Sequence, residues 1–417
     1  MTPSETISSR ICIIGAGPAG AAASITLAQQ GIPHLIVDSA TFPRHKSCGD
    51  IMPAGVIRAL KDLDPGLLET MKSDKILNPI WSNLTYPPNG KPISIDFLPL
   101  DGKEGEPGCY AVSRFDMDLV VINKVKSHGF AEVKENCRIS SMDKNEEGFL
   151  LKTEAGEEIQ TEIVLVATGS NNNILKLLGK SLPKQESAIG IRAHFEGIDC
   201  PSDQAELYLE SEIMPGGLYI TPLPNGVFNV NLVISLNKVS KENINLRAVF
   251  EDMIESNPVL KEKFKGAKRT SNFEGSMLFL GLQKREISGE RLMILGDSAG
   301  LIEFFTGNGI PQALLSGKLA ALQATEALKT GNFSAEFFKQ YEEKLYQKIN
   351  KDYTAGRKIY PILHRKFVSK LILKFLNHLS GRPKTNEILR DFLYDKNAAQ
   401  KLRKPGFYYD LLIKKES

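Results

Sequence analysis

Six residues near the N-terminus, Gly15-Ala16-Gly17-Pro18-Ala19-Gly20, have the types and spacing needed to hold a dinucleotide. The first glycine permits a tight turn, the second lets the backbone approach a pyrophosphate, and the third lets a helix pack on its strand. That helix would direct free N–H groups at the phosphates. Asp38 follows Gly20 by 18 residues, where a carboxylate can accept hydrogen bonds from ribose hydroxyls. The segment therefore predicts dinucleotide contacts at Gly15, Gly17, Ala19, Gly20 and Asp38.

A second motif, Gly296-Asp297-Ser298-Ala299-Gly300, follows an apolar run and precedes Thr306-Gly307-Asn308-Gly309 and a predicted helix. A strand that ends in Gly-Asp can direct a carboxylate at a ribityl or ribose hydroxyl. The later glycines would bring a second helix N-terminus to the cofactor, where its partial positive charge could stabilise an anionic reduced flavin. The two motifs together indicate FAD rather than NAD. The contacts predicted from this part are Gly296, Asp297, Gly307, Asn308, Gly309 and Ile310.

The elements that must position these motifs can be predicted from the hydrophobic pattern. Residues 11–14 and 35–37 are short apolar runs typical of buried parallel strands, with a helix predicted over 21–30. Residues 50–73 are predicted to be helical. Alternation over 131–163 predicts a small antiparallel meander that leads into an apolar strand over 163–167.

The predicted fold class is α/β. It combines a Rossmann-like FAD-binding domain (a parallel sheet plus a β-meander), an interleaved antiparallel β-sheet substrate domain and a helical C-terminal tail. The FAD-binding domain is predicted to be discontinuous, over 1–75, 106–180 and 279–333. The substrate domain is predicted over 76–105 and 181–278, and a helical basic region over 334–417.

Charge and metal-ligand patterns exclude several function classes. The net charge of +3 gives no indication of nucleic-acid binding. The five cysteines and six histidines are scattered without metal-ligand spacing, so no metal site is predicted. From Lys351 onward the chain has 16 Lys and Arg against 6 Asp and Glu. Such a basic end suits either a solvated helical face or peripheral contact with an anionic membrane.

The N-terminus, the apolar runs and the C-terminal tail all bear on the cellular compartment. The polar N-terminus lacks a signal peptide pattern and no run of 18 apolar residues occurs, which predicts a cytoplasmic protein. Residues 367–379 are apolar at helical spacing, with Lys370 and Lys374 between them. A helix that packs on its own protein shows this pattern, and so does a helix in a membrane interface. The second reading predicts a peripheral position at the inner face of a membrane.

Four segments together resemble flavoproteins of the aromatic-hydroxylase fold, and within them the geranylgeranyl reductase family. Residues 43–49 are similar to that family's PRxKxCG segment, and residues 110–116 to its YxVxRxxFD element. Residues 215–226 resemble its GGYxWxFPxG stretch, and residues 296–310 its GDAAGxxxPxTGxGI motif. The resemblance covers about residues 8–330.

The resemblance implies further site residues. Cofactor contacts are expected at Arg44, Lys46, Cys48, Gly49, Arg114 and Gly169. Catalytic roles are expected at Cys48 and Tyr219. Arg44 and Lys46 could lower the pKa of the Cys48 thiol and make it reactive, whereas a buried cysteine is commonly only a small apolar residue.

The sequence also departs from the family pattern where substrate would meet flavin. Asp50 stands where the family often has a second glycine, and Thr221 stands in place of a tryptophan. Residues 303–305, Glu-Phe-Phe, replace a small or proline-containing approach to Thr306-Gly307. The resemblance therefore supports the fold more strongly than it supports the identity of the substrate.

The predicted activity is that of an FAD-dependent reductase, which delivers hydride to a C=C bond of a prenyl-like or other hydrophobic substrate. The alternative is a flavin-dependent monooxygenase of a hydrophobic or aromatic substrate. A halogenase is less favoured, because Trp81 does not lie in a W-x-W-x-I-P segment. A flavin-binding protein without turnover is a third alternative. Because one dinucleotide motif is present, the reductant is expected to be transiently docked NAD(P)H or a separate electron donor, such as a reductase partner.

Overall fold

The computed structural model describes residues 6–103, 105–182, 186–304 and 306–380. The strands in these ranges are β1 (Ile7–Ile14), β2 (His34–Val37), β3 (Ile51–Pro53), β4 (Asn78–Ile80), β5 (Ser82–Tyr86), β6 (Ile93–Asp96), β7 (Cys109–Ala111), β8 (Ala131–Lys134), β9 (Ile139–Asn145), β10 (Gly148–Thr153), β11 (Glu158–Val166), β12 (Ser187–Glu196), β13 (Gln204–Tyr208), β14 (Gly216–Pro222), β15 (Val227–Ser235), β16 (Lys268–Arg269), β17 (Glu274–Phe279), β18 (Ser288–Gly289) and β19 (Leu292–Ile294). The helices are α1 (Pro18–Gln29), α2 (Ala54–Leu63), α3 (Pro65–Ser73), α4 (Arg114–Ser127), α5 (Asn173–Leu177), α6 (Leu236–Glu242), α7 (Leu246–Ser256), α8 (Pro258–Lys263), α9 (Ile310–Thr330), α10 (Ala335–Leu363) and α11 (Lys366–Leu379).

The first sheet positions both glycine motifs. Its strand order is β18-β19-β11-β1-β2-β8, and β19, β11, β1, β2 and β8 run parallel. The central strands are apolar on both faces because helices cover both sides of such a sheet, and Ile11 and Ile163 are fully buried. Since parallel strands end at the same edge, the turns after β1 and β19 come together there.

The meander extends the same sheet through β11. The first half of β11 pairs antiparallel with β10, and its second half pairs parallel with β19. Strand β9 then pairs with β10. The expectation that the meander starts at residue 131 was wrong, because β8 pairs parallel with β2 at the sheet edge. The mixed α/β architecture predicted from the sequence is confirmed.

The second sheet has the order β16-β12-β15-β14-β13-β5-β6, and β17 pairs with β12 along the same edge as β16. Alternation along its strands separates two faces. One face packs on α7 and α8 through apolar side chains such as Leu218, Val230 and Phe250. The opposite face contributes Tyr219, Asn231 and other residues to the large cavity described below. A small third sheet, β3-β7-β4, lies beside them.

Residues 50–73, which were predicted to be helical, are helical over most of this range. Strand β3 occupies the beginning, and α2 and α3 follow, separated at Asp64, whose extended backbone precedes Pro65. The carboxylate of Asp64 caps α3 by accepting a hydrogen bond from the Gly66 N–H at 2.8 Å. The C-terminal region is helical as far as it is described. Residues 381–417, with most of the basic tail, lie outside the described residues.

Helix α10 is part of the nucleotide-binding core rather than a loose addition. Phe338 and Tyr341 are fully buried, and the Tyr341 hydroxyl donates a hydrogen bond to the Ile294 carbonyl of β19 at 2.8 Å. Within the described ranges, no helix is both long enough and apolar enough to cross a bilayer.

Candidate functional site: a flavin cradle beneath the second sheet

A cavity of about 1180 Å³ lies between the carboxyl ends of the parallel strands and the second sheet. Pockets for one small ligand usually have about 300–1,000 Å³, so this cavity has room for a cofactor and a substrate together. The predicted site residues on its wall are Gly15, Gly17, Ala19, Asp38, Arg44, Lys46, Cys48, Gly49, Arg114, Gly169, Tyr219, Asp297, Gly307, Asn308, Gly309 and Ile310.

Gly20 and Gly296 do not line the cavity. They lie where the elements beside the cavity pack closely together. A Cβ at Gly20 would collide with the Gly15 carbonyl, and one at Gly296 would lie 3.0 Å from the Ala19 Cβ. Gly296 also has a positive φ of 58°, which favours glycine. These two glycines therefore allow α1 to pack closely against β1 and β19.

The first glycine turn holds Asp38 in a fixed position. The Gly15 N–H donates to the Val37 carbonyl at 2.7 Å, which joins the turn to the end of β2. The two Asp38 oxygens accept hydrogen bonds from the Ala16 and Ala40 N–H groups, each at 2.8 Å. A carboxylate can accept about four hydrogen bonds, so Asp38 keeps capacity for ribose hydroxyls.

Asp297, which follows β19, places a carboxylate on the cavity wall. Burial raises the pKa of its carboxyl, and the positive charges of Lys46 and Arg114 oppose this rise. Among the described residues, none donates a hydrogen bond to its carboxylate. A Cβ at Gly309 would lie 2.8 Å from Asp297 Oδ1, so a side chain there would block the approach to this oxygen. A cofactor hydroxyl in the cavity would donate to this carboxylate, which can accept about four hydrogen bonds.

A shared carboxylate that the sequence did not reveal, Asp118 on α4, organises the positive charges. It is 3% exposed, and its oxygens accept two hydrogen bonds from the Arg114 guanidinium, both at 2.8 Å. Arg44 Nη2 lies 3.3 Å from the same carboxylate. It also lies 3.3 Å from the position that a Cβ on Gly17 would take. Two guanidinium groups against one carboxylate leave positive charge beside the glycine turn, which suits a pyrophosphate.

These features fit FAD. Glycines at two turns leave room for a backbone-bound pyrophosphate, and the N-termini of α1 and α9 both face the cavity. Asp38 follows β2 and Asp297 follows β19. Two carboxylates at separate strand ends suit FAD, which has ribose hydroxyls at one place and ribityl hydroxyls at another.

The comparisons with known proteins agree with this geometry. Residues 9–198 match the pyridine nucleotide-disulphide oxidoreductase family. Digeranylgeranylglycerophospholipid reductase 2 of Methanopyrus kandleri is 26% identical over 391 residues, which are 91% of this chain and 91% of that protein. The crystal structure of a geranylgeranyl bacteriochlorophyll reductase-like protein from Thermoplasma acidophilum superposes with a TM-score of 0.78 at 20% identity, covering 91% of this chain and 93% of that chain. The chain is an FAD-dependent oxidoreductase, and it is similar to geranylgeranyl reductases.

A third similarity concerns the fold alone. The halogenase PltM, solved in complex with FAD, superposes on this oxidoreductase with a TM-score of 0.70 at 16% identity, covering 94% of this chain and 84% of that chain. Flavoproteins with different activities thus share this architecture, and the cavity wall must distinguish between their reactions.

Cys48 lies on the cavity wall of the oxidoreductase, but not as an activated thiolate. Burial raises the pKa of its thiol, and the negative charge of Asp50 adds to the rise. The expectation that Arg44 and Lys46 lower this pKa was therefore wrong. Arg114 contacts the thiol and opposes the rise, without reversing it. The thiol is consequently a neutral group that can donate a proton.

Tyr219 is a second neutral donor on the wall. It lies on β14 directly opposite Asn231 of β15, and both side chains face the cavity. Burial raises the pKa of its phenol, so it stays protonated at neutral pH. Lys46, by contrast, is a cation whose pKa is lowered by burial, and its ammonium donates to the Ser170 hydroxyl at 3.1 Å.

One part of the wall is formed by an apolar cluster that includes residues missed in the sequence. Leu278, Leu280, Ile302, Phe304 and Tyr360 pack together and line the cavity next to Gly307. Leu363, at the end of α10, lines it as well. The periodicity of α10 predicted a helix, but not that its last turn closes the cavity of the oxidoreductase.

The three departures from the family pattern have separate structural outcomes. Thr221 lies on the cavity wall, opposite Asn229 in the neighbouring strand. Asp50 is buried beneath Cys48, and Asn229 donates to its carboxylate at 2.6 Å. Glu303 serves a turn instead, because its carboxylate accepts hydrogen bonds from the Thr306 N–H at 2.8 Å and hydroxyl at 2.6 Å.

Proposed function

We propose that this oxidoreductase reduces carbon–carbon double bonds in the prenyl chains of a lipid. The observation that carries the proposal is the continuity of the cavity, which joins the flavin cradle to the apolar cluster. The relative from Methanopyrus kandleri is named as a reductase of a digeranylgeranyl phospholipid, which supports this substrate class. Bound and reduced, FAD would supply hydride to one carbon of the double bond.

The chain itself would supply position and a proton. Apolar side chains hold an unactivated alkene and exclude water, so that much of the rate comes from positioning in a dry site. The carbon that does not receive hydride needs a proton, and the Cys48 thiol is the candidate donor. Tyr219 is the second candidate, because its phenol is also neutral and faces the same space.

Arg44, Lys46, Gly49, Arg114 and Gly169 are proposed as cofactor contacts. Arg44 fits the pyrophosphate best, because it is held above Gly17. The Arg114 guanidinium is engaged by Asp118, so its contact with FAD would be secondary to its role in holding that carboxylate.

Reducing equivalents are proposed to come from NAD(P)H that docks transiently, or from a separate electron donor. Loss of the flavin absorbance on rapid mixing with NADPH or NADH would support direct docking. A flavin that stays oxidised with both nicotinamides, yet turns over with a protein donor, would support the second route.

We also propose that substrate enters from a membrane surface through α11. Phe367 and Leu371 on its outer face are 77% and 54% exposed, and Lys370 and Lys374 are exposed beside them. Its other face packs Leu379 on Ile93. A helix with an exposed apolar strip between cations suits an anionic bilayer interface. Leu363, only four residues before Phe367, lines the cavity.

An anaerobic turnover experiment tests the reductase function. Reduced enzyme with an unsaturated prenyl lipid should give a product heavier by two hydrogen atoms for each reduced bond, measured by mass spectrometry. Cys48→Ala should lower kcat about 100-fold while FAD content is kept, as loss of a general acid does, and Tyr219→Phe is the matched comparison. Substrate-stimulated oxygen uptake with a product heavier by one oxygen atom would instead establish a monooxygenase.

A further inference from the structure

Asp50 has an unusual position for a carboxylate in this site. It is 3% exposed and directly follows the Cys48-Gly49 pair. Its backbone φ of 55° lies in the left-handed region, where asparagine, aspartate and glycine are the usual residues. Its side chain lies inside the protein, in contact with the start of α4 and with β15.

The carboxylate of Asp50 joins three elements. One oxygen accepts a hydrogen bond from the Arg114 N–H, at the start of α4, at 3.2 Å. The other accepts from the Asn229 side-chain amide on β15 at 2.6 Å. The same Asn229 nitrogen donates to the Cys48 carbonyl at 2.8 Å. Asn229 is fully buried, so these bonds are made without competition from bulk solvent.

The loop that carries Cys48 is held at a further point. Arg192 on β12 donates to the Lys46 carbonyl at 3.3 Å and to the Glu274 carboxylate at 2.9 Å. Residues 46–50 are thus tied to β12 and β15 through two carbonyls and one carboxylate. The second sheet, which faces the space proposed for the substrate, thus holds the 46–50 loop, which belongs to the cofactor-binding side of the cavity.

We propose that Asp50 is a positioning residue, which with Asn229 clamps the 46–50 loop to the second sheet and thereby fixes the Cys48 thiol at the cavity wall. The proposal rests on the function proposed above, in which that thiol is the proton donor. Asp50 itself does not line the cavity, so it acts through Cys48 and not on the substrate.

The electrostatics agree with such a role. Asp50 Oδ2 lies 4.0 Å from Arg192 Nη1, whose positive charge balances the buried carboxylate, and 3.6 Å from His194 Nε2. The groups that face the Cys48 thiol are the Asp50 N–H and carboxylate and the Arg114 guanidinium, with Lys46 beside it in the loop. Because a negative charge disfavours a thiolate, Asp50 contributes to the raised pKa of Cys48.

The test measures the thiol and turnover separately in the FAD-loaded protein. Asp50→Gly keeps a residue suited to positive φ and removes the carboxylate, and Asp50→Asn keeps its shape and removes its charge. Asp101→Gly is the matched control, because Asp101 also has a positive φ of 54° but is exposed and pairs with Arg58 at 3.2 Å. Iodoacetamide labelling of Cys48 is followed against pH by mass spectrometry of its peptide.

Both Asp50 variants should shift the labelling midpoint of Cys48 to lower pH, since the charge that opposes the thiolate is gone. Turnover of the prenyl lipid should fall about tenfold in kcat with KM little changed, and FAD content should match the wild type. Asn229→Ala should reproduce the loss of kcat, and the double variant with Asp50→Gly should cost no more than either change alone. Asp101→Gly should leave the midpoint and kcat unchanged.

An unaltered labelling profile and an unaltered kcat in both Asp50 variants would overturn the clamp. The labelling needs no substrate, so it remains informative if the proton donor is not Cys48. In that case Cys48→Ala would keep its kcat, while the Asp50 variants would still shift the labelling midpoint.

Discussion

The two sheets that enclose the cavity present their functional groups in different ways. The first offers backbone: glycines, strand ends and the N-termini of α1 and α9, with Asp38 and Asp297 as the main carboxylates. The second offers side chains from alternate positions of β12, β14 and β15, among them Tyr219 and Asn231. A backbone site depends on glycine spacing, whereas a side-chain site can change residue by residue without altering the strands. We therefore expect the cofactor to be fixed by the first sheet and the substrate by the second.

The largest effect is expected from a substitution that weakens cofactor binding. Asp297→Ala removes an acceptor that should bind a cofactor hydroxyl group, an interaction worth about 1.5–3 kcal/mol with a charged partner. The FAD dissociation constant should rise by about 100-fold, measured by flavin fluorescence on titration of apoprotein. Asp62→Ala removes an exposed carboxylate on α2 and serves as the control. A purified Asp297→Ala protein with full flavin content would contradict the assignment.

A smaller effect should separate substrate binding from cofactor binding. Leu363→Trp fills part of the apolar end of the cavity, and excluding about two methylene groups at about 0.8 kcal/mol each lowers kcat/KM roughly tenfold. Long prenyl substrates should lose more than short ones, while FAD content stays the same. Ile362→Trp is the neighbouring control, because Ile362 is 45% exposed. Equal losses for long and short chains would argue against this end of the cavity as the prenyl site.

The smallest effect concerns delivery from a bilayer. Replacing Phe367 and Leu371 by serine removes apolar contact worth about 1 kcal/mol, so binding to liposomes that contain anionic lipid should weaken roughly fivefold. Sedimentation with the liposomes measures this, and turnover of a substrate in detergent should be unchanged. Leu322→Ser changes another leucine, which is 40% exposed and does not line the cavity, and it should have no effect. Unchanged sedimentation of the Phe367 and Leu371 variant would remove α11 from the membrane proposal.

The contrast between the sheets also explains how much the sequence could predict. Glycine motifs act at short range, so Gly15 to Gly20 and Gly296 to Gly309 indicated the cofactor and the fold class from spacing alone. Asp118 and Asn229 were missed because nothing local marks them as site residues. Asp118 matters because it joins Arg114 on its own helix to the distant Arg44, and Asn229 matters because it donates to the distant Asp50. The direction of the Cys48 pKa was wrong for a different reason. Arg44, Lys46 and Asp50 were all visible in the sequence, but the burial of the thiol and the balance between these charges around it were not.

Helices α1 and α9 touch through small residues along their first turns. A Cβ on Gly317 would collide with the Ala19 carbonyl and lie 3.0 Å from the Ala22 Cβ, so the two backbones are in direct contact. Both phosphate-facing ends therefore move as one body, and neither can shift without the other. For protein engineering this means that the flavin platform can be treated as a fixed part. New substrates can be sought by varying Tyr219, Thr221 and the turn at Leu363 while the small residues between α1 and α9 are left alone.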